Sequence, residues 1–244
     1  MNKRLIERGL PRVALGVAIA VAAFAALPAS AQSPRGERFE VRDQSSRGVR
    51  AAAEAGLRSM VFEMGRGLPA NGKLPAGFPI AVSSYSELRQ LTLGIGFEVN
   101  TIDPAALAYA GKTADLGAMT RGTGQWNFVV LSKGRPVALL EVGNVGGRWQ
   151  VLGAGASALA ADVQAAAQSN ARGGRFKFVR VYQATSDLMQ VSGADGSARY
   201  VPLMAARESL GLAKTAEGGP LPTGGELLPA LQNAVRANLA RAVR

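Results

Sequence analysis

Leu91-Thr92-Leu93-Gly94-Ile95-Gly96-Phe97-Glu98-Val99-Asn100 decides the fold. Every second residue is large and apolar, and the residues between are small or polar. Side chains alternate along a strand, so this run has one apolar face and one that admits close neighbours. Asp103-Pro104 follows as an N-cap and a proline at the first helical position, opening a short helix through Tyr109.

Outward from this strand, Gly111 to Gly124 reads as loop. Three short strands are expected as a meander at 126–131, 137–142 and 148–152, turned by Ser132 to Arg135 and by Gly143 to Gly147. Gly134 and the Gly146-Gly147 pair permit the positive φ of tight turns. Ser157 is placed to cap an alanine-rich helix, Ala158 to Ser169, with Leu159, Val163 and Ala166 or Ala167 as its buried stripe. Gly173-Gly174 then breaks the chain before a strand from Phe176 to Gln183. A hairpin, 188–192 with 198–203, turns at Asp195-Gly196, and a helix runs from Met204 to Leu210.

Towards the N-terminus, Val49, Ala53, Leu57, Met60, Val61 and Met64 recur at three- and four-residue steps, which is a helix face. At the other end Leu228, Leu231, Val235, Leu239 and Ala242 share one side of an amphipathic helix, with Arg236, Arg241 and Arg244 near its C-terminus, where the helix dipole favours cations. The expected fold class is α+β: an antiparallel β-meander sheet with helices packed on one face, plus N-terminal and C-terminal amphipathic helices. The organisation reads as 1–31 secretory signal peptide, 32–79 polar arm, helix and Pro/Gly loop, 80–212 α+β domain, 213–226 Gly/Pro linker, and 227–244 C-terminal helix.

The leader has three parts. Lys3, Arg4, Arg8 and Arg12 precede an uncharged run from Val13 to Leu27, and Ala29-Ser30-Ala31 follows Pro28. Small residues at both pocket positions place cleavage before Gln32, and the apolar run is shorter than the ~20 residues a bilayer span needs. Four bases and one acid go with the leader, so formal net charge falls from +11 to +8. A periplasmic or extracellular chain is expected, with no transmembrane segment in its mature form.

Absences narrow the chemistry. The chain contains no cysteine and no histidine. That excludes Cys nucleophiles, thiolate metal sites, Ser-His-Asp triads and His-ligated zinc. The basic balance favours acidic partners. Gly153-Ala154-Gly155-Ala156-Ser157-Ala158 fits G-x-G-x-x-A, but the strand before it belongs to a meander and no acid follows at ~20 residues, so it reads as a tight strand-to-helix turn. No cofactor, metal ligand or catalytic residue is assigned.

Arg172, Arg175 and Lys177 interleave with Phe176 and Phe178, and with Arg236 and Arg241 they form the candidate anion or partner patch. The motif that RNA-recognition strands carry here is filled with charged residues, so nucleic acid is not the expected partner. Trp126 and Trp149, each opening a strand, are candidates for stacking. Glu141, in an otherwise apolar strand, is the candidate acid, with Glu98, Asp103, Asp115 and Asp162 as possible second carboxylates. The expected function is a non-enzymatic binding or accessory domain that engages a protein partner or an anionic envelope surface, with peripheral membrane contact as one form of the latter. A cell-wall or small-ligand domain with carboxylate-based hydrolysis or sugar binding is the alternative.

Overall fold

The alternating stretch forms the central strand of a seven-stranded sheet. The computed structural model describes residues 43–66, 68, 72–75, 78–171, 174–193, 195–213 and 219–242. The signal peptide, most of the polar arm and Arg172 lie outside them. The elements are α1 (Arg47–Arg66), α2 (Tyr85–Leu88), β1 (Leu91–Ile102), α3 (Pro104–Ala108), β2 (Thr120–Ser132), β3 (Arg135–Val145) and β4 (Arg148–Gly155). There follow α4 (Ser157–Asn170), β5 (Lys177–Val181), β6 (Ser186–Ser192), β7 (Ala198–Pro202), α5 (Met204–Leu210) and α6 (Gly224–Ala242). Strand order is β4-β3-β2-β1-β5-β6-β7.

The α+β class holds, and two details of the expected sheet do not. The sheet is mixed: α4 carries the chain from the edge strand β4 back across the sheet, so β5 enters beside β1 parallel to it, with Val99 opposite Phe178. Helices also cover both faces. Ile95, Phe97, Val99, Val129, Leu139, Phe178 and Met189 bury one face under Ala160, Val163 and Ala167 of α4. Their strand neighbours point the other way. Phe128, Val130, Leu140 and Val142 pack under Val49, Ala53 and Leu57 of α1. Val179, Val181, Leu188 and Tyr200 pack under Leu227, Leu228, Leu231 and Val235 of α6. Thus α6 lies on its own domain.

Local departures have local causes. β4 runs on to Gly155, so the reversal into α4 falls on Ala156, which takes φ 53° at the N-cap without a side-chain bond; Ser157 is already helical. Gly153 and Gly155 are strand residues, so the tight strand-to-helix turn expected there is confined to Ala156. Thr120 to Gly124, expected as loop, is strand because Asn100–Ile102 offers it a partner.

β1 meets β5 only at Val99 to Thr101, and its earlier half needs other partners. Gly96 N–H donates to Asp43 Oδ1 at 3.0 Å, Gln44 N–H donates to Gly96 O at 3.1 Å, and Arg50 Nη1 donates to Gly94 O at 3.1 Å. A side chain at Gly96 would strike Phe128, 2.4 Å from its Cβ, which is why glycine stands there.

Candidate functional site

Among the described residues the outer strand β4 has no neighbour on its far side. α1 lies along it through small residues, closest at Gly56, where a Cβ would sit 2.2 Å from Val151 Cγ2. Ala52, Ala55 and Ser59 of α1 and Trp149, Gln150 and Leu152 of β4 line an open groove of about 610 Å³. Leu152 is 55% exposed, and Phe62 of α1 and Val145 at the end of β3 are also exposed. Among the described residues, no backbone hydrogen bond reaches 148–153 from outside the sheet. The groove therefore presents unpaired main-chain groups beside apolar side chains and a helix face that leaves space.

A second feature crosses the sheet between α1 and α6. Glu98 stands opposite Trp126, Lys177 opposite Gln190, and Gln190 opposite Tyr200. The Val99–Phe178 pairing sets Glu98 beside Lys177, so all five share one face. Glu98 lies over Gly122 and accepts the Gly124 N–H at 3.2 Å. Lys177 Nζ donates to Thr120 Oγ1 at 3.0 Å. At the far end the Tyr200 hydroxyl and Gln190 Oε1 are buried without hydrogen-bond partners. Burial pushes the Tyr200 pKa up to about 12, and the charge of Asp115 adds to it.

The residues singled out from sequence fall into separate places. Lys177 and Trp126 enter this row, joined by Glu98. Trp149 lies in the α1–β4 groove, and both tryptophans are partly buried against the cluster beneath α1. Arg175 is exposed just before β5, whereas Arg236 and Arg241 sit on the last turns of α6, which reach the other end of β5. The structure does not bring these cations into one patch.

Glu141 stands apart from the other candidate acids, and Asp103, Asp115 and Asp162 are held in local hydrogen bonds. Glu141 is opposite Asn127 on the face that α4 covers, so Glu98 and Glu141 point to opposite sides of the sheet. Asp103 accepts the Ala106 N–H at 2.8 Å at the start of α3, Asp115 accepts the Gly117 N–H at 2.8 Å, and Asp162 takes the Met204 N–H and lies 3.8 Å from Arg207. Among the described residues no group of three acids could hold a metal. Arg180 pairs with Asp187 at 2.7 Å; burial works to lower its pKa, but hydrogen bonding and attraction from Asp187 outweigh it and leave it raised. The groove was not foreseen, and the one signal for it was the run of small residues Ala51-Ala52-Ala53 and Ala55-Gly56 in α1.

No protein-family model, curated protein or solved structure matches the chain.

Proposed function

We propose that this chain is an exported, non-catalytic binding domain that holds an extended segment of a partner protein alongside β4. The observation that carries this reading is the unpaired outer edge of β4 opening into the 610 Å³ groove against α1. An incoming strand gains main-chain hydrogen bonds from the edge, and its alternate side chains find pockets beside it. Ala52, Ala55 and Ser59 line that space with small side chains, and Leu152 offers apolar area to the strand's other face. The leader at 1–31 supports export, and the separation of Glu141 from Glu98 on opposite faces, with Asp103, Asp115 and Asp162 held in local hydrogen bonds, supports a role without hydrolysis.

The test is capture from the native envelope extract by residues 32–244, at low and high salt, with the parent and Leu152→Lys side by side. A protein retained by the parent at high salt and lost with the variant is the expected result. Lysine on an open edge blocks strand addition while, at an exposed position, changing stability by only about 0.5 kcal/mol. Equal capture by both chains would overturn the reading.

A further inference from the structure

The last turns of α6 hold two protruding tyrosines at one end of the sheet. Tyr109, at the C-terminal cap of α3, is 84% exposed, and Tyr182, just beyond β5, is 51% exposed. Arg236 Nε donates to Ala108 O at 2.8 Å, and Gln232 Nε2 donates to Ala110 O at 2.8 Å, so α6 brackets Tyr109. Asn238 Nδ2 donates to Gln183 O, next to Tyr182, and Arg241 Nη1 donates to Asn238 Oδ1 at 3.3 Å. One guanidinium thus lies on the backbone next to Tyr109, and the other is bonded to the side chain that holds the residue after Tyr182. Lys112, three residues past Tyr109, is exposed as well.

Charge at this end is unbalanced. Asp103 pairs with Arg121 at 3.7 Å, and Asp187 pairs with Arg180. Two exposed acids lie nearby: Asp115, three residues past Lys112, and Glu208 of α5, whose neighbour Ser209 meets Ser186 at 2.7 Å. Lys112, Arg236 and Arg241 therefore outnumber the two exposed carboxylates at this end that have no ion pair among the described residues. The groove beside β4 and the smaller one beside β7 are lined by other residues.

We propose that this end is the contact surface for an anionic phospholipid bilayer. Tyrosine rings are apolar with a polar tip and settle at headgroup depth, while arginine and lysine neutralise the lipid phosphates. Among the described residues no helix is long and apolar enough to cross a membrane, so the contact is peripheral. It holds the domain at a surface while the β4 edge remains turned to other partners.

The test is co-sedimentation of residues 32–244 with vesicles of phosphatidylglycerol and phosphatidylcholine, against phosphatidylcholine alone. Binding to the anionic vesicles only, weakening as ionic strength rises, is expected. Lys112→Gln and Arg241→Gln should each reduce it about fivefold, since a basic residue near such a surface contributes ~1 kcal/mol. Tyr109→Ser with Tyr182→Ser should weaken it further, and circular dichroism checks that the variants fold. Arg236 is left in place because it holds Ala108. Equal partition into both vesicles, no binding, or variants that bind like the parent would overturn the proposal, as would variants that instead lose an acidic protein partner. Leu152→Lys should leave vesicle binding unchanged, which separates this surface from the β4 groove.

Discussion

The two edges of the sheet are finished in opposite ways. At β7 the chain covers its own edge: Tyr200 N–H donates to Pro222 O at 2.9 Å, and two prolines, Pro220 and Pro222, occupy the guarding segment. Thr223 and Glu226 then form a reciprocal cap that starts α6, with the Thr223 N–H to Glu226 Oε2 at 2.7 Å and the Glu226 N–H to Thr223 Oγ1 at 3.3 Å. At β4 nothing comparable is present among the described residues. An open edge invites pairing with any extended chain, and natural sheets ordinarily blunt it. The difference teaches that one edge serves the stability of the fold, while the other is left available beside a helix of small residues.

Three substitutions sharpen this contrast. The largest effect belongs to the closed half. Leu231→Ala empties a fully buried position beneath α6 and should cost about 2–5 kcal/mol in chemical denaturation, with circular dichroism showing whether α6 itself is lost. A smaller loss at this site would mean that α6 is only loosely held and that the closed edge is less different from the open one than it looks.

At the open edge the tightest contact is Gly56 on Val151. Gly56→Ala drives a methyl group into Val151 Cβ and Cγ2, and overpacking of that kind costs ~1–3 kcal/mol. The better helix propensity of alanine returns ~1 kcal/mol, leaving a net loss of about 1 kcal/mol. Displacement of α1 should also shift the emission of Trp149, which lines the same groove. Unchanged stability and emission would show that α1 does not depend on that contact.

The smallest effect is at the guard. Thr223→Ala removes the cap of α6 and should cost about 1 kcal/mol at neutral pH. Hydrogen bonds from Thr223, backbone first and then side chain, hold the Glu226 carboxyl below its ordinary value of 4.5. A carboxylate with a depressed folded-state pKa stabilises the fold above its unfolded value and stops doing so as pH falls. The gap between parent and variant should therefore be widest above pH 4.5 and narrow below it. A gap independent of pH would assign the cost to the lost acceptor for the Glu226 N–H alone.

Much of the secondary structure was legible because it rests on short-range rules. The alternation at 91–100 gives β1, Asp103-Pro104 caps α3, and the stripe Val49, Ala53, Leu57 gives α1. The limits of β2 were not legible, since Thr120 to Gly124 has a loop's composition and becomes strand only where Asn100–Ile102 provides the hydrogen bonds. The site was legible in fragments. Trp126 and Lys177 stood out as residue types, but Glu98 came between them only through the register of three strands. Tyr109 and Tyr182 read as the last residues of a helix and of a strand, but each falls just past its element, Tyr109 at the C-cap of α3 and Tyr182 in the turn after β5, so the repeat did not give their exposure.

By itself the sequence determined the class α+β, the chemistry that lacks cysteine and histidine, the export leader as an expectation, and the local shapes of most strands and helices. Those depend on periodicity, capping and residue type, which act within a few neighbours. Only the tertiary structure decided that β5 lies parallel to β1, that helices cover both faces, that α6 closes on its own domain, and that one edge is sealed while the other stays open. These depend on which apolar face meets which across long stretches of chain, and an amphipathic stripe records that it must be buried without recording against what.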